Sequence, residues 1–350
     1  MKTVDKATLE ESVNSLTPQF ITEPGKLKVQ ILEDWLDEED SIEPLSVIHV
    51  YLYTESGRFQ TNYRTFKSLL GSLYIQEQLM KLVAPSVLES LVNSVLADIP
   101  AHKGPSFVID SQDIASDVVR NAGILPFYLS ESIEYLTSTF CYAVDGSGQT
   151  DKIEYLPLVH EDNSTKVSVI HKDLSITIFD DLWYGGVALT QSSSGRLVPT
   201  VTYFMARDDD NYIITLPGVN LRYSVPKNGA TVEDGLAWIE DAVGMAASIL
   251  PSEMEKIKHL ASKDIERDLA TIIKDILKTV QLPQGQRARV VADVINDFED
   301  SSAYGLMLNV GAAQLTDDLS FAILDKTQQA AGKVPSVLGH RCSHCHQLTE

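Results

Sequence analysis

The most concentrated chemistry in the sequence lies near its C-terminus, where residues 340–346 read His-Arg-Cys-Ser-His-Cys-His. Thiolate sulfur and imidazole nitrogen are preferred ligands of Zn²⁺, and a Cys-x-x-Cys pair supplies half of a tetrahedral site. Zinc would be held within one chain, or shared between subunits, by Cys342, Cys345, His340 and His346. A disordered thiol tail and a redox-active cysteine pair fit the same pattern. The sequence indicates no other cofactor.

Basic side chains form a second group that could bind a ligand. Residues 256–289 contain eight Lys or Arg and four Asp or Glu, a net charge of +4. Such a stripe neutralises nucleic-acid phosphates, although a solvated helix face with i,i+4 ion pairs is the simpler interpretation. The helical spacing predicts one face for Lys263, Arg267, Lys274 and Lys278, with Arg287 and Arg289 following.

Aromatic and basic side chains are interleaved along the β-rich segment between residues 166 and 227. Single-stranded nucleic acids bind to such mixtures, because bases stack on aromatic rings while phosphates pair with cations. About half of these aromatic side chains must fill the core instead. The candidate DNA-binding residues here are Lys172, Trp183, Tyr184, Arg196, Tyr203, Arg207, Arg222 and Tyr223.

Signatures of the common enzyme classes are not found in the sequence. It contains no P-loop, no dinucleotide-binding glycine motif after a strand, no nucleophile elbow and no His-Glu-x-x-His. Asp180-Asp181 is a compact carboxylate pair of the kind that holds Mg²⁺, but such pairs are more often turn residues. We therefore expect no enzymatic activity and assign no catalytic residue.

The predicted secondary structure that positions these side chains changes along the chain. Residues 1–150 are predicted to form an acidic, mixed α/β region, with Ser111 or Asp113 capping a helix after a strand at Ser106–Ile109. The earlier elements are helices over Thr8–Leu16 and Leu27–Trp35, a strand over Leu45–Tyr53, and helices over 63–98 divided at Pro85.

Residues 151–228 are predicted to form an antiparallel, curled sheet, because short β-rich runs follow one another without crossover helices. Residues 229–333 are predicted to be helical and packed on that sheet. Thr231 caps the first helix with Asp234 in a weaker capping box, Pro251 starts the second and Pro283 the third. Residues 334–350 are predicted to be a flexible Cys/His tail. Together these segments predict an α+β fold class.

Composition sets the broad class of the protein. The 350 residues are 44% apolar and 22% charged, the balance of a soluble globular protein. No apolar run is long enough for a membrane span, and Met1–Asp5 begins no secretory signal. With three cysteines and no export signal, we expect the cytoplasm.

The net charge of −21 argues against a purely electrostatic coat on nucleic acid. The acidic run Asp37–Asp40 is most simply a solvated loop. It also fits an acidic partner peptide or a mimic of nucleic-acid phosphates.

Residues from about 172 to 333 resemble an uncharacterised family carried by phages and plasmids. The resemblance rests on Asp180–Val187, Ser192–Gly195, Pro199, Arg222-Tyr223, Thr231–Leu236 and Ser302–Asn309. Asp209-Asp210-Asn211 stands where that family has a turn of the Asn-Gly type. The layout is also similar to the single-stranded-DNA-binding RNA polymerase cofactor of short-tailed phages.

The resemblance implies a place among the replication and recombination functions of mobile elements. The expected partners are single-stranded DNA and a phage RNA polymerase or replication protein, in a homo-oligomer within the host cytoplasm. The leading hypothesis is therefore a phage-encoded single-stranded-DNA-binding accessory protein. The alternative is an acidic protein-interaction factor for host takeover, anti-defence or a minor structural role.

Overall fold

The computed structural model describes residues 2–16, 20–36, 45–119, 129–161, 163–192, 194–195, 197–210, 212–217, 221–224, 231–261, 263–265, 268–297, 302–316 and 319–338. They form an α+β protein with an N-terminal sheet, a central antiparallel sheet and C-terminal helices, which confirms the predicted class. No helix in these ranges has both the length and the apolar character needed to cross a membrane.

The chain divides into two compact units. The N-terminal unit comprises residues 12–124 and 192–198, and the larger unit comprises residues 1–11, 125–191 and 199–350. The predicted segments 151–228 and 229–333 therefore belong to one unit, apart from residues 192–198.

The N-terminal unit contains a six-stranded sheet in the order β1-β5-β6-β4-β3-β2. The β4–β6 pair is parallel and the other neighbours are antiparallel. The strands are β1 (Phe20–Ile21), β2 (Lys28–Leu36), β3 (Leu45–Thr54), β4 (Gly57–Thr61), β5 (Phe107–Ile109) and β6 (Ile114–Val118). The helices that supply the rest of its core are α2 (Tyr63–Ser72), α3 (Leu79–Leu82) and α4 (Pro85–Ala97), in agreement with helices divided at Pro85.

Strand β2 occupies the segment for which a helix was predicted, so that prediction is wrong. Val29 and Ile31 are buried while Leu32 is exposed, which is the period-two alternation of a strand and not a helical stripe. Antiparallel pairing over nine residues with β3, the next strand along the chain, overrides the local helical spacing.

The prediction of a helix capped by Ser111 or Asp113 is also wrong, because β6 follows β5 directly. The Asp110 carboxylate accepts hydrogen bonds from the backbone N–H groups of Gln112 and Ile114, both at 2.9 Å. This bonding closes a tight turn in which Asp113 adopts a positive φ of 59°.

The larger unit contains a seven-stranded sheet whose main path runs β12-β11-β10-β9-β7. Two short strands lie off this path: β13 pairs with β11, and β8 pairs with β9. The strands are β7 (Ile153–Tyr155), β8 (Val159–Glu161), β9 (Ser164–Ile178), β10 (Asp181–Ser192), β11 (Thr200–Arg207), β12 (Ile213–Thr215) and β13 (Leu221–Arg222).

The remaining helices are α1 (Lys6–Ser15), α5 (Leu129–Asp145), α6 (Val232–Ala261), α7 (Leu269–Val280), α8 (Gln284–Asp297), α9 (Ala303–Val310), α10 (Ala313–Thr316) and α11 (Phe321–Leu338). The predicted cap of α6 is confirmed: Asp234 N donates to Thr231 Oγ1 at 3.1 Å, and Thr231 N donates to Asp234 Oδ2 at 3.0 Å. Pro251 lies inside α6 and does not start a helix, so this prediction is wrong.

Helix α11 packs directly on the edge strand β12 because it carries a glycine at the contact. A Cβ built on Gly332 would lie 1.9 Å from the carbonyl oxygen of Thr215. A larger residue would therefore push α11 away from the sheet. This close approach sets the position of the α11 side chains relative to β9 and β12.

Candidate nucleic-acid interface

The predicted stacking residues of the central sheet are mostly core residues. Trp183 is 0% exposed, and Tyr203 and Tyr223 are buried as well. Trp183 Nε1 donates to Tyr304 Oη at 3.2 Å, and the Tyr223 ring packs at 5.2 Å from that of Trp238. These three rings stabilise the fold and have no free face for a base, so their assignment to DNA is wrong. Tyr184 is half-buried and stays a prediction.

Two of the predicted phosphate ligands are engaged by carboxylates. Lys172 Nζ lies 2.7 Å from Glu154 Oε1. Arg207 contacts Asp181 at 3.2 Å and Asp210 at 2.5 Å. Both cations would have to exchange an intramolecular partner for a phosphate. Arg222 is exposed on β13 and stays a prediction.

The basic residues between 263 and 289 do not share one helix face. Helix α6 ends at Ala261 and α7 begins at Leu269, so Lys263 lies between two helices. Lys274 and Lys278 are exposed one turn apart on α7, whereas Arg287 Nε donates to the carbonyl oxygen of Leu282 at 2.5 Å and Arg289 is half-buried on α8. The predicted continuous stripe is therefore wrong.

Several predicted residues lie outside the described part of the chain. They are Arg196, Arg267 and the proposed zinc ligands Cys342, Cys345, His340 and His346. The acidic run 37–40 lies outside it as well.

Asp180-Asp181 does not form a free carboxylate pair. Asp181 Oδ2 accepts a hydrogen bond from Tyr304 Oη and contacts Arg207. Asp181 therefore already serves to hold α9 and β11 to the start of β10.

A cluster that the sequence analysis missed brings Asp145, His171 and Asp173 together, with potential ligand atoms within 4.8 Å of one another. Lys152 Nζ lies 2.6 Å from Asp173 Oδ2 and 3.4 Å from Asp145 Oδ2, so an ammonium group already provides the compensating charge. The backbone N–H of Asp173 donates to His171 Nδ1 at 3.2 Å.

This bond places the proton of the neutral ring on Nε2, the nitrogen that faces Asp145 at 3.7 Å. A metal needs the lone pair of Nε2 and a proton on Nδ1, which the Asp173 N–H opposes. Burial lowers the pKa of His171, against the raising influence of Asp145. The cluster is thus an ion-pair network and a poor metal site.

A surface that combines aromatic and basic side chains lies instead on the N-terminal sheet. We call it the tyrosine face, which consists of eight residues on the outer surface of β2, β3 and β4. The strand register places Lys28, Tyr53 and Arg58 in one row across the sheet, and Gln30, Tyr51 and Gln60 in the next. Leu32 and His49 form a third row, and these eight residues make up the face.

The side chains of the tyrosine face are held by contacts among themselves. Arg58 Cζ lies 3.9 Å from the Tyr51 ring centroid and 5.7 Å from that of Tyr53. Tyr53 Oη donates to Gln30 Oε1 at 2.7 Å. Tyr53 is 36% exposed. Tyr51 is half-buried beneath Arg58, so the Tyr53 ring and the Arg58 guanidinium are the planar groups that this surface presents to solvent.

The opposite side of the same strands forms a core that fixes this surface. Val50, Leu52 and Phe59 alternate with the outward residues and are buried. At the free edge of β2, Asn93 of α4 accepts from Val29 N at 2.8 Å and donates to Val29 O at 2.7 Å. Helix α4 therefore occupies part of the hydrogen-bonding edge and blocks a further strand there.

The charge of the tyrosine face is opposite to that of the whole chain. Its two charged side chains, Lys28 and Arg58, are both basic. Both are exposed. The signal that could have located it is the alternation His49-Val50-Tyr51-Leu52-Tyr53, which puts two tyrosines and a histidine on one side of a strand.

No protein-family model, curated protein or solved structure matches the chain.

Proposed function

We propose that the protein binds single-stranded DNA on the tyrosine face and acts as an accessory to replication, recombination or transcription of a mobile genetic element. The observation that carries the binding proposal is the pair of outward tyrosines on β3 with the Arg58 guanidinium over them. The accessory role rests on the resemblance around Asp180–Val187.

The spacing of the tyrosines favours a single strand over a duplex. Tyr51 and Tyr53 are two residues apart on β3, so their Cα atoms are separated by about 7 Å along the strand. Two neighbouring bases can each lie on one ring only when they are unstacked from each other. In a duplex the bases stay stacked on each other and only their edges are exposed, in the grooves. A duplex therefore cannot stack its bases on the two tyrosine rings.

Cations beside the rings supply the phosphate contacts. Arg58 reaches both rings, and Lys28 lies beside Tyr53 in the same row. A guanidinium combines charge with a planar surface that stacks on bases, so Arg58 can contact either a base or a phosphate. His49 and Gln60, whose Nδ1 and Nε2 atoms are 3.5 Å apart, add polar groups for base edges.

The decisive experiment is fluorescence-anisotropy binding of a labelled oligo-dT and of the matching duplex. We expect Tyr51→Ala and Tyr53→Ala each to weaken oligo-dT binding by about 5- to 150-fold, because stacking contributes about 1–3 kcal/mol per base. Tyr74→Ala is the matched control, since Tyr74 is a 97% exposed tyrosine of the same unit away from this face.

Unchanged binding in both tyrosine variants would reject the tyrosine face as the site. If the wild-type protein does not bind oligo-dT at low salt, the proposed function itself is wrong. The alternative hypothesis, an acidic protein-interaction factor, would then be the one to pursue.

A further inference from the structure

A cavity of about 170 Å³ lies in the larger unit between the central sheet and helix α11. Its apolar walls include Leu156, Val159, Phe321 and Leu324. An apolar cavity of about 150 Å³ is large enough to bind benzene. The cavity therefore has room for one six-membered ring.

A lysine is buried in the wall of this cavity. The Lys166 side chain is 7% exposed, and its Nζ lies 3.0 Å from Asp325 Oδ1 and 3.0 Å from Gln328 Oε1. Burial of an ammonium group costs several kcal/mol, and an apolar pair of similar size often stabilises a fold equally well. The contacts of Lys166 with Asp325 and Gln328 join β9 to α11, but this structural role does not by itself account for a charged residue at this position.

The polar groups of the wall offer hydrogen-bond donors to an occupant. The Lys166 ammonium has three donor hydrogens, of which Asp325 and Gln328 receive two. The other oxygen of Asp325 already accepts from Gln329 Nε2 at 2.7 Å. The side-chain amide of Gln314 is already bonded to the edge strand β12: its oxygen accepts from Ile213 N at 2.9 Å, and its nitrogen donates to Ile213 O at 3.2 Å.

The charges of the wall cancel, because Lys166 is paired with Asp325. An anionic ligand would have to displace the Asp325 carboxylate from the ammonium. A neutral acceptor such as a carbonyl oxygen can take the remaining ammonium hydrogen without breaking the pair.

We propose that this cavity binds a neutral single-ring molecule that carries a carbonyl group. The carbonyl oxygen accepts a hydrogen bond from Lys166 Nζ, and the ring packs against Leu156, Phe321 and Leu324. The site is independent of the proposed function, because none of its residues belongs to the tyrosine face.

The test uses benzamide as the probe and methyl NMR of the full chain as the readout. We expect saturable shifts at the methyl groups of Leu156, Val159 and Leu324. Toluene has the ring without an acceptor and benzoate carries a charge, so each should bind at least tenfold more weakly. The proposal is wrong if these methyl groups show no saturable shift, or if either comparison compound binds as tightly as benzamide.

Two variants separate the hydrogen bond from the cavity itself. Lys166→Met removes the donor at similar volume and should weaken benzamide at least tenfold. Val159→Phe fills the cavity with the Lys166–Asp325 pair intact and should abolish binding, which keeps the test valid if Lys166→Met does not fold. Val87→Phe, at an exposed position of α4, is the control and should leave binding unchanged. Benzamide binding that survives Val159→Phe would overturn the proposal.

Discussion

The guanidinium carbon of Arg58 lies 3.9 Å from the centroid of the Tyr51 ring, so a cation covers an outward aromatic ring on the N-terminal sheet. This contact holds the two kinds of group that single-stranded nucleic acids need, a planar surface and a positive charge, in one ordered place. The arrangement can be divided experimentally into its stacking and charge components.

Substitutions of Arg58 should separate charge from planarity. Arg58→Lys keeps the charge and loses the flat guanidinium, so we expect weaker oligo-dT binding with an unchanged salt dependence. Arg58→Gln keeps a flat group and loses the charge, so the slope of log K against log salt should fall by about 0.7. Anisotropy titrations at several salt concentrations measure both effects. Identical slopes for the two variants would exclude a phosphate contact by Arg58.

The wild-type salt dependence should be shallow, because the tyrosine face carries two basic side chains, Lys28 and Arg58. Two phosphate contacts on a single strand give a slope of about −1.4, or about a sevenfold loss of affinity from 50 to 200 mM salt. The same titration checks this value. A much steeper slope would indicate that cations outside the tyrosine face, such as Lys274 and Lys278, bind phosphates.

Gly332→Ala should destabilise the larger unit by more than about 2 kcal/mol, since the new methyl group overlaps the Thr215 carbonyl oxygen and overpacking is costly. Gly244→Ala in α6 is the matched control, because a Cβ there meets nothing within 4 Å. We expect that control to be stabilised by about 0.5–1 kcal/mol through helix propensity. Denaturant unfolding measures both changes. Equal effects at the two glycines would contradict the packing of α11 on β12.

Gln281→Gly should stabilise the protein, because Gln281 ends α7 in the left-handed conformation, with φ 53° and ψ 44°. For a residue with a Cβ, this conformation costs about 1–2 kcal/mol in the folded state, and glycine avoids that cost. The greater flexibility of glycine in the unfolded chain offsets part of the resulting stabilisation. We expect a net gain of about 0.5–1 kcal/mol, with Gln281→Val destabilising instead. Thermal unfolding distinguishes these signs, and a loss of stability in Gln281→Gly would argue against this helix end.

Cys141 should be unreactive in the folded protein. Burial, with added repulsion from Asp145 and Asp151, raises the pKa of its thiol to about 11. At pH 8 about one thiol in a thousand is then ionised. In a Cys342→Ser/Cys345→Ser variant, an aromatic disulfide reagent should label Cys141 only after denaturation. Prompt labelling of the native variant would show that this thiol is accessible.

The same shift makes stability depend on alkaline pH. The unfolded thiol ionises from about pH 9, whereas the folded thiol resists ionisation until about pH 11. Stability should therefore decline across that interval by about 1.4 kcal/mol per pH unit. Cys141→Ala should lack this decline. The free energy of unfolding of the variant and of the wild type, measured at pH 8 and at pH 10.5, tests this expectation.

The sequence by itself determined the features that depend on neighbouring residues. The Thr231–Asp234 cap, the strand at β3 and the helices divided at Pro85 were all predictable, because capping, period-two alternation and proline geometry act within a few residues. The α+β class and the antiparallel central sheet follow from the same local patterns.

Only the tertiary structure decided which side of each strand is covered. Trp183 and Tyr53 both lie on strands rich in aromatic residues, yet Trp183 is buried and Tyr53 is exposed. Alternation divides a strand into two faces, but it does not say which face a distant helix will cover. The strand at β2 depends on pairing with β3. The burial of Lys166 under α11 and the exposure of the tyrosine face depend on packing between segments far apart in the chain. Local spacing encodes neither kind of contact.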